Sequence, residues 1–104
     1  MNNTMFPWLE EAIESIDDTP IDLIQKIIRH LDTRILESDS SLIIDLKSLP
    51  LEKLSTPVLI CICRFTYWKF KGTGEYHELI EMVRKTLDSK GKDSKNLLHG
   101  LFKK

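Results

Sequence analysis

Thr56-Pro57-Val58-Leu59-Ile60-Cys61-Ile62-Cys63, running on as Arg64-Phe65-Thr66-Tyr67-Trp68-Lys69-Phe70-Lys71, is the stretch whose reading decides the fold. Thr56-Pro57 has the cap-and-proline form of a helix start, because proline at a first-turn position gives up an amide that would be unpaired anyway. The next six residues are apolar without exception, and the aromatics that follow extend the run to Phe70. Its β-branched and aromatic content would also suit a strand, but about thirteen unbroken residues is long for a strand and normal for a helix. A helix apolar all round is a buried one. The stretch from about 57 to 70 is therefore expected to be the central helix of the core. Burying around eight such side chains, at about 1.5–3 kcal/mol each, would supply much of the hydrophobic stabilisation.

The segments on either side carry helical spacing as well. Upstream, Thr19-Pro20-Ile21-Asp22 repeats the start signal, with Thr19 as the expected N-cap, and Ile21, Ile24, Ile27, Ile28, Leu31 and Ile35 form a stripe reaching about residue 36. A shorter helix is expected over residues 4–17. Leu9, Ala12, Ile13 and Ile16 are its inner face, Thr4 its possible cap, and Asp17 and Asp18 its end. Leu42-Ile43-Ile44-Asp45-Leu46 has no decisive period, but a lone strand would lack a partner, so a short helix or an irregular buried piece is favoured. Downstream, Lys71-Gly72-Thr73-Gly74 offers two glycines for a reversal. Tyr76, Leu79, Ile80, Val83 and Leu87 then make another stripe that stops at Gly91. Asp93-Ser94 can cap a last short helix bearing Leu97, Leu98 and Leu101. The expected fold is all-α, a compact irregular or orthogonal bundle of four to six helices, in one domain over residues 1–104.

Composition sets the class. Apolar residues are 41% and charged residues 30% of the 104, which lies outside the compositional range of disorder. No apolar run approaches the roughly 18 residues needed to cross a bilayer, and the acidic N-terminus does not resemble a secretory leader. With two cysteines and no disulfide framework, a soluble, cytoplasmic, reducing location is expected, without membrane attachment.

Charge is uneven although the net value is −1. Residues 1–55 hold 11 acidic and 5 basic side chains, and residues 56–104 hold 5 and 10, so the halves stand near −6 and +5. Either the acidic and basic parts pack together and cancel, or the molecule presents a charged face to a partner.

Chemical constellations are scarce. Cys61 and Cys63 are two residues apart, and on a helix such positions point about 200° apart, so the thiols cannot share an ion; they read as buried packing groups. His30, His77 and His99 are scattered, without the i+4 partner of a helical metal site. The Gly72–Gly74 turn lacks the spacing and the preceding strand of a phosphate loop, and no nucleophile elbow is present. No catalytic residue, metal, cofactor or small-molecule substrate is inferred, and no family-defining motif carries a function over by resemblance.

One pattern stands out. Arg64, Tyr67, Trp68 and Lys71 fall at i, i+3, i+4 and i+7, on one helical stripe, and combine amphipathic aromatics with cations as interface hot spots do. The plainer alternative has Tyr67 and Trp68 closing the rim of the core with wet polar tips. The expected function is a small, non-enzymatic interaction or regulatory module that binds a protein partner or self-associates, through this stripe or the acidic first helix. The rival is a nucleic-acid binder using the basic C-terminal half, including Arg84, Lys85, Lys90, Lys92, Lys95, Lys103 and Lys104. A helix-turn-helix version of it would lead its recognition helix with Glu75 and Glu78, which would face phosphates.

Overall fold

Ser55 starts the decisive helix. Its side chain accepts the Val58 amide at 3.4 Å, and the helix, named α4 below, spans Thr56–Phe70 with Pro57 in its first turn. The computed structural model describes residues 6–15, 19–37 and 41–99. They form six α-helices and no strand: α1 (Leu9–Ser15), α2 (Ile21–Leu36), α3 (Leu42–Lys47), α4, α5 (Gly74–Ser89) and α6 (Ser94–Leu97), with a single 3-10 turn at Leu51–Lys53 between α3 and α4. The protein is an all-α bundle. Its radius of gyration, 12.8 Å, is that of a chain of this length folded around a closely packed interior rather than an extended array.

Helix α4 packs against α2 on one side and α5 on another, while α5 also takes α3, the 3-10 turn and α6. Val58, Leu59, Ile62, Cys63 and Thr66 enter the core from α4, a stripe at i, i+1, i+4, i+5 and i+8. Thr66 is tolerated there because its hydroxyl donates to the Ile62 carbonyl at 2.8 Å, leaving no orphaned polar group. Enclosure of α4 is one-sided, however, which corrects the expectation of burial all round. Ile60, Cys61 and Phe65 are half-buried and Trp68 is exposed. A run apolar on both faces carries no period, so the sequence could not mark which face turns inward.

Two other expectations change in α2. Its buried residues are Leu23, Ile27, Leu31 and Ile35, every fourth position, with Ile24 and Ile28 at the edge. Ile21 lies about 100° round the axis from the centre of that row and is 69% exposed. Thr19 does not cap the helix: Pro20 occupies the cap position, and no side chain bonds the first amides. The Thr19 hydroxyl instead joins a relay linking three elements. Ser15 donates to the Ala12 carbonyl at 2.8 Å, and the Val58 amide donates to Ser55. Each hydroxyl has one proton, so Thr19 must donate to Ser15 and Ser55 to Thr19. Similarly, Ser55 rather than Thr56 caps α4.

Helix α1 is shorter than expected, and the core gains residues ahead of it. Phe6 and Trp8 are fully buried, whereas within α1 only Ala12 is. Thr4, Ile16, Asp17 and Asp18 lie outside the described residues. Leu42–Lys47 is helical, as favoured, and puts Leu42, Ile43 and Leu46 into the core while Ile44 faces out. Helix α5 buries the expected Tyr76, Leu79, Ile80, Val83 and Leu87. Its end is a Schellman motif: the Lys92 amide bonds the Leu87 carbonyl and the Gly91 amide bonds that of Asp88, with Gly91 at φ +78°. Neither Gly72 nor Gly74 adopts positive φ, so the α4–α5 reversal does not depend on them. Thr73 makes it instead, donating to the Phe70 carbonyl at 2.9 Å and accepting the Tyr76 amide at 3.2 Å. Asp93 caps α6 as expected, and Leu98 behind it is buried; Leu101 lies outside the described residues.

Candidate interaction face

The outer face of α4 is the surface where composition and exposure disagree most. Successive residues turn about 100°, so Pro57, Cys61, Arg64 and Trp68 lie opposite the buried stripe, with Ile60, Phe65, Tyr67 and Lys71 flanking them. Trp68 is 66% exposed. Ile60, Cys61 and Phe65 are half-buried beside it, so the face is apolar along two to three turns. Its only charges are cationic, Arg64 and Lys71, and no carboxylate occurs between Thr56 and Gly74.

The four residues singled out from spacing share this side of α4 but differ in role. Tyr67 is half-buried and meets Tyr76 of α5 edge-on, ring centroids 6.2 Å apart. Lys71 sets its ammonium 5.6 Å from the Tyr67 ring centre, a cation–π contact. Arg64 reaches across to the Leu97 carbonyl at 3.4 Å, touching the end of α6. Trp68 projects outward. Tyr67 therefore closes the rim of the core, and Trp68 does not. Ile60, Cys61 and Phe65 were missed because no polar residue interrupts the run to show that they face out.

The cysteines point to opposite sides, as i and i+2 require. Burial pushes the Cys63 thiol up to about 12, reinforced by nearby Cys61, and burial raises Cys61 to about 11. Neither is primed as a thiolate at neutral pH. A thiol reagent on the native protein should modify Cys61 slowly and Cys63 only as the molecule unfolds; two sites reacting together would contradict this placement.

A second cluster gathers at the N-terminal end of the described chain. The Trp8 indole N–H donates to His30 Nδ1 at 3.0 Å, and Phe6 meets both rings edge-on, at 5.3 Å from Trp8 and 5.8 Å from His30. The Arg34 guanidinium lies 5.6 Å from the Phe6 ring centre. His30 is held below the ordinary histidine range, first by burial and then by Arg34. The other two histidines, His77 and His99, are exposed. Among the described residues no three His, Cys, Asp or Glu side chains converge as a metal site.

The basic half of the sequence is partly committed internally. Arg84 pairs with Glu81 at 2.7 Å, with Asp88 at 3.8 Å, and Lys90 donates to the Leu54 carbonyl at 2.9 Å. Helix α5 leads with exposed Glu75 and Glu78, and Glu78 is ion-paired to Lys47 of α3. That pair and the Glu81–Arg84 pair hold both carboxyls below their ordinary range. These pairs are exposed enough that screening leaves them little weight in stability. No helix among the described residues is long and apolar enough to cross a membrane. Compared with known proteins, the chain matches no family model, no curated protein and no solved structure.

Proposed function

We propose that the protein is a small, non-enzymatic interaction or regulatory module, working in the cytoplasm, whose outer α4 face binds a protein partner. The observation that carries this is Trp68, 66% exposed amid half-buried Ile60, Cys61 and Phe65. A large aromatic exposed on an apolar strip costs solubility unless something covers it. Charge states the chemistry of that partner: a strip bearing Arg64 and Lys71 without carboxylates complements apolar side chains flanked by Asp or Glu. The acidic N-terminal half of a second copy has such charges, so self-association is one form of the same reading. Nucleic acid is the less favoured partner. Arg84 and Lys90 are occupied within the chain, and the carboxylates at the head of α5 would repel phosphate.

A photo-crosslinking amino acid at position 68, with one at exposed Asp32 of α2 as the control site, identifies what covers the strip. The expected result is a discrete protein, or a second copy, joined at 68 and not at 32. With that partner purified, Trp68→Ala should weaken binding about 30-fold or more, the loss typical of a buried aromatic anchor. Arg64→Ala should weaken it less. Unchanged affinity for both folded variants would remove the strip as the binding surface. Salt-sensitive binding of generic DNA or RNA by the wild type, lost in a Lys85/Lys92/Lys95 charge-removal variant, would replace this reading with the nucleic-acid one.

A further inference from the structure

The N-terminal cluster does not belong to the α4 strip, and its geometry contains a chemical condition. Trp8 is fully buried, and its indole nitrogen can only donate. The acceptor is His30 Nδ1, at 3.0 Å. This bond exists only while Nδ1 keeps its lone pair, so the ring must be the neutral tautomer with its proton on Nε2. His30 is half-buried and borders a shallow cleft of about 240 Å³, lined by Pro7, Trp8, Lys26, Arg29, His30 and Thr33, so water and protons reach it without unfolding.

We infer that His30 is an acid-released latch, holding the Phe6–Trp8 segment on α2 while neutral and letting it go when protonated.

Two consequences of protonation act in the same direction. The Trp8 N–H loses its acceptor and is left buried against a second N–H, and an unsatisfied buried donor is costly. The new charge arises among cations: Lys26, Arg29 and Arg34 are neighbours on α2 itself. Of the carboxylates on the neighbouring elements, Glu11 of α1 is engaged with Lys26 at 2.8 Å and Asp45 of α3 with Arg34 at 2.7 Å, while Glu10 and Glu14 of α1 are exposed to solvent. The Phe6 ring meets His30 edge-on and already takes the Arg34 guanidinium over its face. Trp8 and Phe6 themselves bring no charge. The direction of the titration agrees. The folded state holds the His30 proton less tightly than an unfolded chain, whose histidine titrates near 6.5, so the docked state is fully stable above that value. It loses stability as pH falls through the interval beneath it.

Release would uncover Phe6, Trp8 and the apolar side of α2 beneath them, a surface absent at neutral pH. The test uses full-length Trp68→Phe protein, in which Trp8 is the sole tryptophan. Between pH 7.5 and 5 its emission maximum should move to longer wavelength and acrylamide quenching should rise several-fold. The midpoint should coincide with the His30 ring-proton titration followed by NMR, and far-ultraviolet dichroism should retain most of its helical signal. His30→Gln in the same background offers an amide oxygen to the indole but cannot titrate, and should abolish the transition. In wild-type protein, the Trp8 indole N–H resonance should shift together with His30, a readout independent of either variant. The latch is overturned if His30 titrates while the Trp8 resonance and emission stay fixed, if His30→Gln shows the same transition, or if helicity collapses at the same midpoint.

Discussion

Ile62→Ala should destabilise the protein by about 2–5 kcal/mol, whereas Trp68→Ala, the larger truncation on the same helix, should stay within about 0.5 kcal/mol of wild type. Ile62 is completely buried on the inner stripe of α4, where the helix packs between α2 and α5. Removing three carbons there loses their transfer free energy and leaves a cavity that the surrounding Leu and Ile side chains only partly fill. Trp68 is 66% exposed, so most of its surface is hydrated in both states and little is lost on truncation. Against a total stability of about 5–15 kcal/mol for a domain, the Ile62 change would remove a large share, and urea midpoints at constant slope measure it directly. A Trp68→Ala loss as large as that of Ile62→Ala would mean that α4 is enclosed on both faces, and the outer strip would cease to be a surface.

The same contrast shows where sequence reading reached its limit. Helix α5 was legible in its inner face and its C-terminal end, because Tyr76, Leu79, Ile80, Val83 and Leu87 alternate with Glu and Lys, and Gly91 takes the left-handed conformation its position requires; its start was not, since Thr73 rather than the glycines makes the turn. In α4 the type of element was readable and its orientation was not, since a helix with apolar residues on every side has no moment to orient it. The spacing of Arg64, Tyr67, Trp68 and Lys71 correctly placed them together. Only the packing of Tyr76 against Tyr67 separates the aromatic that closes the core from the one that leaves it. Caps misled for a local reason: Thr19-Pro20 and Thr56-Pro57 look alike, yet Thr19 spends its hydroxyl on Ser15 and Ser55, and Thr56 is already the first helical residue, which leaves the cap position to Ser55. Phe6 and Trp8 went unread because Phe6 lies beyond Pro7 and outside the helical pattern, while Trp8 stands just ahead of α1, four residues before buried Ala12, whose amide bonds the Trp8 carbonyl. Their burial is set by His30 and Arg34, more than twenty residues away.

That distant anchoring makes Trp8 the second position of large effect. Trp8→Ala should cost about 3–5 kcal/mol, the range for emptying a buried indole site, even though it lies outside every helix and near one end of the described chain. Ends are ordinarily tolerant of change, so a loss that large identifies the segment as core rather than tail. Trp8→Phe separates packing from hydrogen bonding. It keeps a ring among Phe6 and His30 but removes the donor, so the destabilisation should fall to about 1–2 kcal/mol. It should also move His30. The indole N–H bonds only the neutral imidazole, so it disfavours the proton. Deleting that donor should raise the His30 midpoint relative to wild type, while Arg34 and burial continue to hold it down. An NMR titration of His30 in the two proteins decides it: an upward move shows that the bond in the structure is energetically coupled to the protonation state. An unmoved or lowered midpoint would show that Trp8 packs beside His30 without sharing its proton chemistry.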